Sequence, residues 1–277
     1  MFTCRPLILV AALVLPVLAC GRGGAPATAP AEAPPPPIET DLGPGSRLID
    51  PRAQELVRQM SDRLSRVTAL AIEAEEVYDE VPADAPRQQL TSMRRVAMRR
   101  PDRLVGDASG DALNRSFWYD GQTFSALDRE QNVWASGAVP PTIDEALDWV
   151  FDQTGTVIPL ADFLYADVYD RLMGKVQRGV YLGIHEAAGV PCYHLSFEQA
   201  TIDWQIWIDA GPDPLPRKLV ISYKTEDEVP QYAVTIPKWN VEAKVPETLF
   251  RFAPPEGAKR VEVAAFGRAG GDEGGVR

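Results

Sequence analysis

The sequence predicts an α+β fold in which helices cover one face of a curved antiparallel sheet. Short segments rich in β-branched and aromatic residues recur along the chain, and turns containing Gly, Pro and Asp separate them. One amphipathic stretch precedes these segments, and a second helical stretch interrupts them midway. Closely spaced strands favour antiparallel pairing, and the helices need a sheet against which to bury their apolar sides.

Composition and charge limit the classes of function. The chain has 277 residues, of which 45% are hydrophobic and 24% charged, as in ordinary globular proteins. Its 28 basic and 39 acidic side chains leave a net charge of −11, which repels phosphate backbones, so no nucleic-acid partner is expected. Three cysteines and two histidines provide little material for a disulfide framework, a metal centre or acid–base catalysis.

The N-terminus has the features of a secretory signal that ends at a cysteine. Arg5 precedes the uncharged apolar run 6–18, which is short for a membrane-spanning helix. Cleavage after Ala19 leaves Cys20 as the first mature residue, a pattern that resembles the bacterial lipobox. We therefore predict a signal peptide over residues 1–19 and a membrane anchor through lipidated Cys20. A plain secretory signal with an incidental cysteine is the alternative.

Segments of low complexity flank one folded domain, predicted over residues 47–265. Residues 20–46 are rich in Gly, Ala and Pro and contain few apolar side chains, so we expect an extended tether. Residues 266–277 are predicted to form a disordered, Gly-rich tail. Gly21 follows the cysteine, which favours an outer-membrane lipoprotein that faces the periplasm of a bacterial envelope.

The first predicted element of the domain is a helix from Pro51 to about Val67. Asp50 supplies an N-cap and Pro51 occupies the first helical position, where proline is tolerated. Apolar side chains then recur at helical spacing, at Ala53, Leu56, Val57, Met60, Leu64 and Val67.

Strands follow on both sides of a helical insertion. In the first half we predict strands over residues 70–81, 94–100, 117–119 and 123–127, with Asp120-Gly121 as a hairpin turn. The insertion comprises a helix that starts at a capping box over residues 142–145 and a second helix over residues 160–173. The remaining strands are predicted over residues 180–186, 192–198, 202–209, 217–224 and 231–239.

Candidate catalytic and metal-binding groups are few. His185-Glu186 begins like a zinc-protease helix, but Gly189 stands where the second histidine belongs. Cys192 and His194 share a strand face, with His185 placed opposite Cys192, and a solvated strand exterior explains this set better than a metal site. Three acidic residues lie in the first turns of the inserted helix, where their charges stabilise the positive end of its dipole: Asp144, Glu145 and Asp148. No catalytic residue, metal or cofactor is expected.

The most informative feature is apolar. Tyr193, Leu195 and Phe197 lie on one strand face, and Ile202, Trp204, Ile206 and Ile208 lie on another. Helices bearing Phe151, Leu160, Phe163 and Leu164 can cover these faces. A solid hydrophobic core and a cavity for an acyl chain both fit this pattern, and the sequence leaves the two interpretations open.

Several motifs occur together in one order. They are Met98-Arg99-Arg100-Pro101-Asp102-Arg103-Leu104, Phe117-Trp118-Tyr119-Asp120-Gly121-Gln122-Thr123, Pro159-Leu160-Ala161-Asp162-Phe163-Leu164-Tyr165, Gly189-Val190-Pro191-Cys192-Tyr193-His194-Leu195, Asp203-Trp204-Gln205-Ile206-Trp207-Ile208 and Pro214-Leu215-Pro216-Arg217-Lys218-Leu219-Val220-Ile221. This series, over residues 50–260, resembles the predicted periplasmic proteins of domain-of-unknown-function family 2092. That family is similar in turn to the LolA/LolB-like lipoprotein carriers, whose fold is an unclosed antiparallel barrel with a helical lid over an apolar cavity.

The resemblance implies a set of site residues. The carriers have Arg-Pro followed by Asp-Gly-Lys-Thr, which Arg100-Pro101 and the segment 120–123 match here, with Gln122 in place of the lysine. By analogy, Arg100 is a candidate latch that hydrogen-bonds the lid. The expected pocket and lid residues are Val96, Met98, Arg100, Trp118, Phe151, Leu160, Phe163, Leu164, Leu195, Phe197 and Trp204.

Two non-catalytic functions follow from these sequence features. The first is a monomeric lipoprotein that binds a hydrophobic ligand, whether an acyl chain, a lipid or a lipoprotein. The second is an envelope interaction or sensor module whose interior is filled by its own side chains. Fold similarity by itself does not select between them.

Overall fold

The computed structural model of the chain describes residues 48–82, 84–155, 160–225 and 229–268. The predicted signal peptide, Cys20 and the tether lie outside the described residues, as do residues 269–277 of the predicted tail.

One sheet of thirteen strands forms the body of the domain, in the order β1-β8-β9-β10-β11-β12-β2-β3-β4-β5-β6-β7-β13. The strands are β1 Leu48–Ile49, β2 Ala69–Glu80, β3 Gln88–Arg99, β4 Arg103–Gly110, β5 Asn114–Tyr119, β6 Thr123–Asp128, β7 Val133–Ala138, β8 Arg178–Ala187, β9 Val190–Glu198, β10 Ile202–Asp209, β11 Pro216–Tyr223, β12 Gln231–Asn240 and β13 Lys259–Arg260. Neighbours pair antiparallel except at the two edges, where β1 pairs with β8 and β13 with β7 in parallel. The predicted class, an α+β fold with a curved and unclosed antiparallel sheet, is confirmed.

The helices begin and end at local signals. They are α1 Pro51–Ser65, α2 Ile143–Thr154, α3 Val168–Met173 and α4 Val263–Arg268, with 3₁₀ turns at Ala161–Phe163 and Glu247–Phe250. The Asp50 side chain accepts a hydrogen bond from the Arg52 amide at the start of α1. Gly155 ends α2 with φ at 69°, a left-handed conformation that glycine adopts without strain.

Three details of the sequence prediction were wrong. The segment 160–173 is not one helix but a 3₁₀ turn followed by the short helix α3. Strands β1, β4, β7 and β13 and helix α4 are not predicted from the sequence. A Cβ atom at Gly106 in β4 would lie 2.2 Å from the ring of Phe117, so a larger residue there would require that ring to move. The predicted tail starts too early, since α4 extends to Arg268.

The two faces of the sheet have different partners. The inner face, defined as the face that α1, α2 and α3 cover, carries the alternate strand positions that point into one contiguous cluster of buried apolar residues. The outer face of the strands around β4 to β7 is covered by the segment that follows β12, whose Phe250 is fully buried. Apolar residues on both faces are therefore buried in this half of the sheet.

Candidate functional site

The floor of the candidate site consists of inward side chains on three strands. These residues, called the floor below, are all buried in the one apolar cluster and comprise Val96, Met98, Leu195, Phe197 and Trp204. Strand register brings Phe197 and Trp204 together, because they pair directly across β9 and β10 and their ring centres stack 4.3 Å apart. Period-two alternation in the sequence places each floor residue on the inner face.

The lid, defined as residues 160–173, packs on the same cluster. Leu160, Phe163 and Leu164 are 0%, 1% and 1% exposed, respectively, and belong to the cluster that contains the floor. The short 3₁₀ turn places Leu160 and Phe163 three residues apart, on one side of the segment. Residues 160–173 therefore cover part of the inner face with buried apolar side chains.

Arg100 joins the end of β3 to the lid. Its Nη2 donates to the carbonyl of Tyr165 at 2.9 Å, its Nε donates to the carbonyl of Val67 at 3.2 Å, and Nη1 lies 3.9 Å from Asp144. Burial lowers the pKa of the guanidinium, and the charge of Asp144 opposes that shift. Arg100 is therefore hydrogen-bonded to a carbonyl of the segment 160–173, and its role as a latch stays a prediction.

Carboxylates of α2 hold the lid from the other side. Asp144 accepts a hydrogen bond from the Ala166 amide at 3.1 Å, and Asp148 accepts from the Tyr165 hydroxyl and from Arg171, both at 2.8 Å. Burial, followed by the hydrogen bond to Asp148, raises the pKa of Tyr165. From the sequence, these carboxylates are predicted only to stabilise the start of α2. Their contacts with the lid were missed because the partners lie 17 to 23 residues away in the chain.

Helix α3 is tied to α1 through Tyr169. The backbone N–H of Tyr169 donates to the Ser61 hydroxyl at 3.0 Å. The hydroxyl of Tyr169 accepts a hydrogen bond from the side-chain amide of Gln54 at 2.8 Å. The guanidinium of Arg58 lies 4.2 Å from the centre of the tyrosine ring. The lid is therefore held by polar contacts at both margins and by apolar contacts beneath it.

Two of the predicted pocket residues do not line the inner face. Phe151 is 46% exposed, because the apolar side of α2 is formed by Ile143, Ala146, Leu147 and Val150. Trp118 points to the outer face, where its ring lies 4.9 Å from that of Phe252 in the covering segment. Its neighbours Phe117 and Tyr119 are the residues that face inward. Both predictions are corrected.

A buried polar cluster on the inner face was not predicted. Glu76 is 1% exposed and accepts hydrogen bonds from Arg94 at 2.7 and 2.9 Å, from Ser92 at 3.0 Å and from Tyr232 at 2.8 Å. Burial raises the pKa of Tyr232 well above its usual value, and the charge of Glu76 adds to this shift. The partners of Glu76 come from two other strands, β3 and β12, so only the inward position of Glu76 in β2 signals the cluster in the sequence.

The histidines and the cysteine meet on the outer face, as the strand pattern predicts. His185 pairs with Cys192 across the hairpin, and Nδ1 of His185 lies 2.9 Å from Nδ1 of His194. Cys192 is fully buried, and this burial raises the pKa of its thiol to about 11. Within the described part of the chain, no group of three or more His, Cys, Asp or Glu side chains is arranged to hold a metal ion.

No helix among the described residues is long and apolar enough to cross a membrane.

Solved structures with a similar course of the chain share little sequence with this protein. An uncharacterised conserved protein from Thermus thermophilus has a TM-score of 0.45 at 10% identity, over 76% of this chain and 99% of that one. The Mycobacterium tuberculosis lipoprotein LppX has a TM-score of 0.41 at 13% identity, over 71% and 100% of the two chains. A LolA superfamily protein from Nitrosomonas europaea has a TM-score of 0.35 at 8% identity, over 72% and 97%. No curated protein sequence matches the chain significantly.

A sequence-family model matches most of the folded domain. The model is described as "Predicted periplasmic protein (DUF2092)" and matches residues 53–264. The matched range contains every strand except the two-residue β1, together with α2, α3 and the lid. The resemblance inferred from the ordered motifs is therefore confirmed.

Proposed function

We propose that this chain, which belongs to the DUF2092 family of predicted periplasmic proteins, is a non-catalytic lipoprotein that binds a hydrophobic ligand between the floor and the lid. The observation that carries the proposal is the construction of the lid. Its apolar side chains are buried in the same cluster as the floor, whereas its margins are held by a few polar contacts.

The free energy of burying the apolar lid side chains is comparable in size to that of burying an acyl chain. Burying a large apolar side chain contributes about 1.5–3 kcal/mol, so Leu160, Phe163 and Leu164 together contribute about 5–9 kcal/mol to the closed state. A sixteen-carbon acyl chain buried in their place contributes about 0.8 kcal/mol per methylene, or about 12 kcal/mol. The two burial terms are therefore of similar size, and the cost of association decides how much of their difference is seen as affinity.

Membrane attachment through Cys20 is the second part of the proposed function. Acylation of Cys20 and a tether over residues 20–46 would hold a monomeric domain near the outer membrane on its periplasmic side, where acyl ligands are abundant. The partners are then the membrane and the bound lipid or lipoprotein, and the binding step uses no cofactor.

A first experiment looks for the ligand directly. The full chain carrying Cys20→Ser is purified from a bacterial envelope, its lipids are extracted and analysed by mass spectrometry, and fatty acids are titrated into the stripped protein. The proposal predicts copurified acyl lipid or saturable binding of the added fatty acid. A preparation that is free of lipid and also ignores added fatty acids contradicts it.

A second experiment locates the binding site with two matched phenylalanine substitutions. Phe163→Ala removes a buried lid side chain and weakens the closed state by about 3–5 kcal/mol, so fatty-acid binding should tighten. Phe151→Ala, on the exposed side of α2, should leave the affinity unchanged. Equal affinities in both variants and the parent chain would place binding elsewhere.

The alternative function is an envelope interaction module with a filled interior. The complete burial of Leu160, Phe163 and Leu164 favours it, because these side chains already occupy the inner face. This alternative predicts that the purified chain carries no lipid and that a specific envelope protein copurifies with it.

A further inference from the structure

The inner face is closed at one end of the strands and partly open at the other. Leu70, Met98, Ile208 and Leu219, at one end, are at most 3% exposed. Inward residues at the opposite end, called the open end below, are only partly buried and pack against the edge of the cluster, at Tyr78, Ile202, Ile221 and Tyr223. A ligand that enters along the sheet therefore meets this end first.

Trp204 lies at the boundary between the closed and open parts. It pairs across the sheet with Phe197 on one side and Ile221 on the other, and the next inward residue of its own strand is Ile202. The residue is 3% exposed, yet within the part of the chain that the structure describes its indole N–H has no hydrogen-bond partner. By comparison, the indole N–H of Trp239 donates to the carbonyl of Pro216 at 2.8 Å.

An unpartnered buried donor requires an explanation. Buried tryptophans usually find an acceptor, and leaving the N–H without one costs about 1–3 kcal/mol. Tyr232 lies in the same row two strands from Trp204, so their backbones are about 10 Å apart, and its hydroxyl donates to Glu76. A buried water is held by about two to four polar partners, whereas the inward neighbours of Trp204 within the sheet are the apolar residues Phe197, Ile202, Ile206 and Ile221.

We propose that the indole N–H of Trp204 donates a hydrogen bond to the ester carbonyl of a bound acyl lipid. The hydrocarbon chain then lies along Phe197 and Ile206 toward the lid, and the polar end of the lipid points to the open end. A neutral ester fits better than a free carboxylate, because one N–H cannot offset the burial of a full charge. This inference rests on the proposed function and predicts that acyl esters bind more tightly than free fatty acids at the same site.

The test compares an ester lipid with its ether analogue. The full chain carrying Cys20→Ser is titrated with 1-palmitoylglycerol and with 1-O-hexadecylglycerol, which has the same chain length but no carbonyl group. The parent chain should prefer the ester by about tenfold, as expected for one net hydrogen bond of about 1.4 kcal/mol. Trp204→Phe preserves an aromatic ring for stacking on Phe197 but removes the donor, so it should bind both lipids with the affinity of the ether.

A matched control and a second signal make the test decisive. Trp239→Phe removes an indole N–H that already has a partner in the protein, so it should lower stability but keep the ester preference. In the parent chain, the indole N–H resonance of Trp204, assigned by its loss in Trp204→Phe, should shift downfield with the ester and not with the ether. If folding of Trp204→Phe fails, the ester preference of the parent chain and Trp239→Phe still test the proposal.

The outcomes separate this inference from the proposed function. Binding of both lipids with equal affinity, or an ester preference that survives in Trp204→Phe, overturns the role of Trp204 and leaves the hydrophobic site intact. Failure of the parent chain to bind either lipid overturns both.

Discussion

Replacing Arg100 with methionine should open the lid without unfolding the sheet. The substitution keeps most of the apolar length of the side chain but removes the donor to the Tyr165 carbonyl. A hydrogen bond from a charged donor contributes about 1.5–3 kcal/mol, and about 1.4 kcal/mol corresponds to a tenfold change in an equilibrium constant. The lid should therefore open about ten- to a hundredfold more often in Arg100→Met than in the parent chain.

Native-state hydrogen exchange measures this opening residue by residue. The amides of Leu164 and Ala166, which bond to Ala161 and Asp144 respectively, should lose protection by that factor. Amides of β10 should keep their protection. Arg99→Met is the matched control, because Arg99 lies on the outer face and bonds Glu247 in the covering segment instead of the lid. The reasoning is refuted if lid exchange is unchanged, or if lid and β10 lose protection equally.

Three further substitutions test other parts of the description. Glu76→Ala removes the carboxylate that accepts from the partly buried Arg94 and should lower the free energy of unfolding by about 3–5 kcal/mol in urea titrations. Replacing both Glu76 and Arg94 with methionine should recover most of that loss. An equally large loss in the double variant would show that the ion pair is not the cause. Burial raises the pKa of Asp162 in the lid, and the charge of Arg171 opposes that shift. Above the raised pKa the charged carboxylate destabilises the folded state, so the parent chain should gain stability on acidification. Asp162→Asn should stabilise the protein at pH 7 and remove that gain, and an unchanged pH profile would count against this. Cys20→Ser should move the protein from the membrane fraction to the soluble periplasm, and persistence in the membrane fraction would disprove the predicted anchor.

Features encoded locally could be predicted from the sequence. The N-cap of α1 at Asp50 lies within a few residues of the contacts that it makes. Period-two alternation places Val96, Met98 and Leu195 on the inner face without knowledge of their partners. The ends of β9 and β10 agree with prediction to within two residues for the same reason.

Features that depend on distant segments could not be predicted. Trp118 was placed on the wrong face because a segment more than a hundred residues later, containing Phe252, buries it on the outer side. Phe151 adjoins the buried residue Val150, and only packing determines where the apolar side of α2 ends. The polar cluster at Glu76 requires strands β2, β3 and β12 to come together, and no short motif encodes that arrangement.

Photo-crosslinking of a bound ligand tests the central claim most directly. A palmitic acid analogue with a diazirine near its terminal methyl is bound to the full chain carrying Cys20→Ser, irradiated, and mapped by peptide mass spectrometry. A hydrophobic ligand held between floor and lid predicts adducts in residues 160–165 and 193–206, which unlabelled palmitate competes away. Adducts confined to the outer face, or adducts that no competitor removes, would contradict it.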